Sequence, residues 1–250
     1  MLGTGPTARA LIERNEFDWR VLETAHARIH TPRSSRVFTR APELADSVEH
    51  ARLAALTTLG EPDRGDEPRL EVFLVDTRGE MARIAGRPIG GFAQPGELTA
   101  VLVAGPGYNP LLRHELTHAI AAVRWGELRS GAWLTEGLAA LAQGECQGHS
   151  VDGIAAGYLA SGRLPSVELM LKDFRSVPEL PGYTGAASFA GYIRQRYGAA
   201  ALRALWKGAA PDSIAEDLRT RRVLEREWLS KLRSVPSAAF DSARLYREGC

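Results

Sequence analysis

The alternation of apolar and polar positions divides the chain into two halves of different character. Up to about residue 105, short apolar runs of strand type accompany one amphipathic helix. After residue 108, apolar residues recur at helical spacing between glycines and prolines. The pattern therefore predicts an α+β fold with a sheet-containing N-terminal lobe and a helical C-terminal lobe.

Two runs in the first half are rich in β-branched and aromatic residues and predict buried strands. They are RLEVFLVD (69–76) and LTAVLVAG (98–105), with a turn-rich segment at 86–97 that predicts a loop. The remaining predictions for this half are strands at 17–31 and 35–39, a helix at 42–60 ending at Gly60, and a polar loop at 61–68.

A helix at 110–125 opens the second half. Asn109 suits the N-cap, Pro110 suits the first helical position, and Gly126 supplies a stop. Further helices are predicted from Ala132 or Trp133 to a stop at Gly144, at 152–161, 184–197 and 199–207, and at 213–233 with an interruption near 220.

Composition restricts the classes of partner. A chain of 250 residues with 44% hydrophobic and 24% charged residues is typical of a globular protein with one large domain or two small lobes. A formal net charge of +1 gives no reason to expect a nucleic-acid partner. No apolar run approaches the roughly 20 residues that a membrane-spanning helix needs. The first residues lack the features of a signal peptide, although a signal removed before Met1 stays open.

The helix at 110–125 contains the sequence His114-Glu115-Leu116-Thr117-His118. Side chains four apart share one helix face, so both imidazoles can reach one metal ion at about 2.0–2.1 Å, the range for zinc. Glu115 lies about 100° further round and can reach a water at the ion instead. The pattern predicts a zinc site with a neighbouring general base.

A third ligand is needed if zinc is to be held with a position left for water. Glu136 opens the next predicted helix, and an antiparallel neighbour can return it to the level of His118. Gly137 is expected to let these two helices approach closely. The alternative is a pair of hydrogen-bonded helix histidines and a solvated first-turn glutamate.

HELTHAI (114–120) followed by WLTEGLAAL (133–141) resembles the gluzincin zinc metallopeptidases, and especially their peptidase-MA-like domains. Seventeen residues separate His118 from Glu136, close to the spacing in that family. The resemblance implies a zincin-like fold, with the active-site helix between the two lobes, and a peptide or protein substrate. It implies that His114, His118 and Glu136 bind one zinc ion and that Glu115 is the general base.

Other parts of the chain carry the resemblance less specifically. The resemblance implies that residues 1–68 are part of the catalytic domain or packed on it, that residues 69–235 form the peptidase domain and that residues 236–250 are a tail. It also implies an edge strand within 98–104 that pairs with substrate backbone. Tyr183 is similar to a family tyrosine that stabilises the oxyanion, although the lysine of that segment is missing here; packing at a helix start is the alternative. His149 is the one downstream histidine that such a role can otherwise fall to.

Two other functions stay open: a catalytically silent zinc-binding pseudo-peptidase that binds peptides, and a zinc amidohydrolase acting on a non-peptide amide. Cys146 and Cys250 either pair in an oxidising compartment or remain thiols. Relatives of this kind favour an extracytoplasmic location. His26 and His30 are expected on a strand, where their spacing of about 13 Å excludes chelation of one ion.

Overall fold

The computed structural model describes residues 5–65, 67–213, 221–237, 240–243 and 245. The chain divides into two compact units, Met1–Thr57 with Glu61–Gly126, and Thr58–Gly60 with Glu127–Cys250. The helices described in the first unit are α1 (Pro6–Ile12), α2 (Val37–Leu59, whose last residues belong to the second unit), α3 (Arg78–Ala85) and α4 (Leu112–Trp125). Its strands are β1 (Trp19–Glu23), β2 (Ala27–Pro32), β3 (Leu70–Val75), β4 (Gly91–Gln94) and β5 (Thr99–Val103).

These five strands form one mixed sheet in the order β1-β2-β3-β5-β4. The central pairs β2–β3 and β3–β5 are parallel, and the outer pairs are antiparallel. Every residue of β3 and β5 is buried, as expected for strands covered on both faces. The two apolar runs at 69–76 and 98–105 are thus confirmed as buried strands, and the α+β class is confirmed with them.

Helices cover this sheet according to the alternation of its side chains. Phe73, Val75, Val101 and Val103 pack with Met81 of α3 and with Ala8 and Leu11 of α1. On β5, Leu102 alternates with Val101 and Val103 and so faces the opposite side, which α4 covers through contacts with β4 and β5. The sheet therefore fixes the position of α4.

Three predictions for the first half are wrong or incomplete. The segment 17–31 contains two strands, β1 and β2, rather than one. The predicted strand at 35–39 is the start of α2, because the carboxylate of Asp76 accepts hydrogen bonds from the amides of Arg36 and Val37 at 2.8 and 2.9 Å and so caps a helix there.

The third error concerns the sheet edge. The predicted loop at 86–97 contains β4, which pairs with β5 from Gly91↔Leu102 to Gln94↔Thr99. Consequently the strand within 98–104, expected at an edge, is internal, and β4 is the edge strand. Four residues among glycines and a proline carry too little apolar alternation to predict a strand.

The second unit is helical in its described part. Its helices are α5 (Ala132–Gln143), α6 (Val151–Ala160), α7 (Val167–Asp173), α8 (Glu179–Trp206) and α9 (Arg221–Arg233), with a small hairpin of β6 (Glu145–Cys146) and β7 (His149–Ser150). The predicted break between two helices lies at Gly198, which has φ 81° inside α8. Part of the predicted helix at 213–233 lies outside the described residues. No helix in the described part of the chain is long and apolar enough to cross a membrane.

Packing of α5 on α8 depends on Gly137. A Cβ at this residue would lie 2.8 Å from the carbonyl oxygen and 2.9 Å from the carbonyl carbon of Ala186. The glycine was expected to serve the approach of α5 to the preceding helix. Its close neighbour is instead α8, because the buried face of α5 that carries Gly137 packs there.

Candidate metal centre

Helix α4 carries the two histidines and begins later than predicted. Leu111 occupies the N-cap without a side-chain hydrogen bond, so Asn109 and Pro110 do not start the helix. The carbonyl of Pro110 accepts a hydrogen bond from the amide of Leu112 at 2.8 Å, which holds these residues in a tight turn before the first helical turn. The predicted stop is confirmed, because Gly126 ends the helix with φ 75°.

His114 and His118 face the same point, one turn apart. His114 is buried and His118 is half-buried. Their Nε2 atoms lie 3.1 Å apart. Two nitrogens bound tetrahedrally to zinc at about 2.0–2.1 Å lie about 3.3 Å apart, so the observed separation requires little adjustment to accept the ion.

Glu136 completes the group. Helix α5 begins at Ala132, as predicted, and ends at Gly144, which has φ 79°. The ligand atoms of His114, His118 and Glu136 all lie within 4.8 Å of one another. This group could hold a metal ion. Two imidazoles with one carboxylate are a donor set that suits a zinc site with an open position.

Glu115 is buried beside these ligands, with 8% of its surface exposed. It is not a member of the group of His114, His118 and Glu136, and its role as general base stays a prediction. Its side chain lies against the edge strand, since a Cβ on Gly91 would be 3.0 Å from its Oε1 and 3.2 Å from its Cγ. The carboxylate is therefore held between α4 and the main chain of β4.

The edge strand directs some of its peptide groups outward. The amide of Val103 donates to the carbonyl of Gly90 at 2.8 Å, which makes these two residues a hydrogen-bonded pair. Hydrogen-bonded and non-hydrogen-bonded pairs alternate in an antiparallel ladder. The N–H and C=O groups of Gly91 and Ala93 therefore point away from β5, toward the outer edge of the sheet.

Tyr183 lies in the first turns of α8, half-buried. Its ring stacks on Phe174 with centroids 5.8 Å apart and an interplanar angle of 11°. This contact explains why an aromatic ring stands at this position. The role of the hydroxyl in stabilising an oxyanion stays a prediction. His149 lies in β7 with its ring 6.1 Å from that of Phe240.

Neither cysteine chemistry nor the other histidine pair adds ligands to the centre. Cys146 is disulfide-bonded, and the other cysteine, Cys250, lies outside the described residues. His26 and His30 bind separate carboxylates, Glu49 at 2.9 Å and Glu71 at 2.7 Å. The expectation that both lie on one strand is wrong, because His26 lies in the bend between β1 and β2 and only His30 is in β2.

The feature that sequence reasoning missed is the edge strand with Gly91. Its signal was the tandem Gly90-Gly91 before Phe92, which was interpreted as a turn.

No protein-family model, curated protein or solved structure matches the chain.

Proposed function

We propose that the protein is a zinc-dependent peptidase of gluzincin type. His114, His118 and Glu136 hold one zinc ion, and Glu115 is the general base. The observation that carries this proposal is the convergence of the three ligands, with the 3.1 Å separation of the two Nε2 atoms. The resemblance of the two motif segments to gluzincins supports it.

Hydrolysis needs an activated water and a stabilised carbonyl. A bound zinc ion supplies Lewis acidity, which polarises a carbonyl and makes a water more acidic. Glu115 accepts the proton of the attacking water and returns it to the nitrogen of the leaving amine. Burial against β4 keeps this carboxylate in place for both proton transfers.

A peptide is favoured as substrate by the position of the edge strand. An extended peptide can add to β4 through the outward N–H and C=O groups of Gly91 and Ala93. Because Glu115 lies against the same strand, a peptide paired there passes close to the general base. A non-peptide amide lacks the repeated N–H and C=O groups that could pair with this strand.

Glu115→Gln is the central test. The variant is expected to keep its zinc and lose cleavage of a mixed peptide library, whereas Glu127→Gln, at an exposed glutamate just beyond α4, is expected to cleave normally. His118→Ala and Glu136→Ala are expected to lose zinc as measured by metal analysis. Full activity of Glu115→Gln would refute the mechanism.

The same library distinguishes the alternatives. The peptidase gives backbone cuts that stop when a chelator is added. A silent pseudo-peptidase binds peptides without cutting them, and an amidohydrolase cuts acyl amides in a chelator-sensitive manner while leaving the peptides intact. Either of these results would refute the proposed peptidase activity and support the corresponding alternative.

The extracytoplasmic location stays part of the proposal. Disulfides persist in oxidising compartments and are rare in the cytosol. The bond at Cys146 supports this location. Fractionation of the native host, followed by immunoblotting, tests it.

A further inference from the structure

Gly91 occupies a position on the edge strand where a side chain would crowd its neighbours. A Cβ there would meet Oε1 of Glu115 at 3.0 Å, Cγ of Glu115 at 3.2 Å and the carbonyl oxygen of Val101 at 3.2 Å. The Val101 carbonyl belongs to the main chain of an internal strand, whereas Oε1 of Glu115 is the end of a flexible side chain. The Glu115 side chain is the part that would have to move.

Backbone conformation does not explain the glycine. Gly91 is absent from the glycines with positive φ, and it lies in regular strand pairing with Leu102. An alanine can therefore adopt its backbone angles. The uncrowded space beside the Glu115 side chain is what the glycine provides here.

We propose that Gly91 is a positioning residue for the general base, an inference that rests on the proposed function. Its missing side chain lets the Glu115 carboxylate lie directly against the main chain of the edge strand. The outward peptide groups of Gly91 would pair with a substrate peptide at the position along the strand where Glu115 lies. The same residue therefore influences the position of the general base and that of the substrate backbone. The glycine acts through Glu115 and touches no metal ligand among its nearest neighbours.

Gly91→Ala tests this role, with Gly90→Ala as the matched control. Gly90 is the adjacent glycine, and a Cβ there meets nothing within 4 Å. The Glu115 carboxylate must move by a few tenths of an ångström. Because a misplacement of about 1 Å in a catalytic group can cost on the order of 100-fold in rate, Gly91→Ala is expected to lower kcat roughly 3- to 10-fold. KM and zinc content are expected to stay unchanged, and Gly90→Ala is expected to keep the kcat of the unaltered protein.

A merely structural role gives a different pattern. Loss of zinc, or a rise in KM equal to the fall in kcat, would mean that Gly91→Ala disturbs the fold or substrate binding rather than the base. Equal kcat in Gly91→Ala and Gly90→Ala would overturn the proposal.

A second measurement does not depend on activity. Gly91→Ala is expected to lower Tm in the unaltered background and to lower it less in the Glu115→Ala background, because the second change removes the side chain that the new methyl meets. The same loss of Tm in both backgrounds would refute the contact. Absence of any chelator-sensitive cleavage by the unaltered protein would instead refute the proposed function, so the two failures are distinguishable.

Discussion

Gly137→Ala perturbs the contact between α5 and α8 at one methyl group. The new Cβ would lie 2.8 and 2.9 Å from two main-chain atoms of Ala186. Normal contact of such atoms is about 3.5 Å, so the two helices must separate by roughly half an ångström. Overpacking of this kind costs about 1–3 kcal/mol. The higher helix propensity of alanine returns about 1 kcal/mol. We expect a net loss of up to about 2 kcal/mol in the free energy of unfolding.

Gly185→Ala is the matched control. Gly185 also lies inside a buried helix of the second unit, but its nearest neighbours are ends of side chains, Leu164 Cδ1, Met170 Sδ and Pro165 Cγ, at 3.3–3.5 Å. These atoms can shift, so the gain in helix propensity should offset most of the cost. The two variants should differ by up to about 2 kcal/mol, which corresponds to at most about 4–8 °C in Tm for a protein of this size.

Thermal unfolding followed by circular dichroism measures this difference. Zinc titration of the same samples reports a second effect, because Glu136 precedes Gly137 and moves with α5. Weaker zinc binding is expected in Gly137→Ala and not in Gly185→Ala. A Tm for Gly137→Ala at or above that of Gly185→Ala would refute the reasoning from the Ala186 backbone.

Two further predictions concern a carboxylate and a hydroxyl. Burial alone would raise the pKa of Glu49, but hydrogen bonds from the Thr24 hydroxyl and from His26 outweigh it and hold this pKa below its ordinary value. The folded form thus has the lower pKa, and its stabilising effect is complete above the unfolded value of about 4.3 and is lost as pH falls through the folded value. Glu49→Gln should therefore destabilise the protein more at pH 7 than at acidic pH, as measured by urea unfolding; an equal loss at both would contradict this. Tyr183→Phe should lower kcat about 100-fold if the hydroxyl stabilises an oxyanion, and unchanged kcat would assign Tyr183 to its stacking on Phe174 alone.

The ligand-bearing helices were predictable because their signals are local. Glycines at 126 and 144 end α4 and α5 where the sequence indicated. The spacing of His114 and His118 fixes their common direction as soon as the helix exists. Convergence of Glu136 on these histidines was inferred from ligand chemistry and is found in the structure.

What escaped prediction depends on contacts distant in sequence. The carboxylate of Asp76, together with the Ser35 hydroxyl that accepts a hydrogen bond from the Phe38 amide, starts a helix here although the composition favours a strand. Likewise β4 exists because β5 offers it a pairing edge, and nothing in GFAQ signals a strand by itself. The close approach at Gly137 was inferred, but its partner α8 follows forty residues later and could not be identified from spacing.

The placement of Glu115 favours the peptidase over a silent zinc-binding module. A zinc site that serves only stability needs its ligands, and it gains nothing from a buried carboxylate that does not belong to them. An apolar residue next to His114 would pack on the sheet without the desolvation cost of an acid. Here the edge strand carries a glycine where a Cβ would crowd that acid, so in the proposed site two positions of the chain suit a carboxylate next to His114. Such paired adaptation is expected where the carboxylate takes part in proton transfer, and this makes Glu115→Gln and Gly91→Ala the most informative pair of variants.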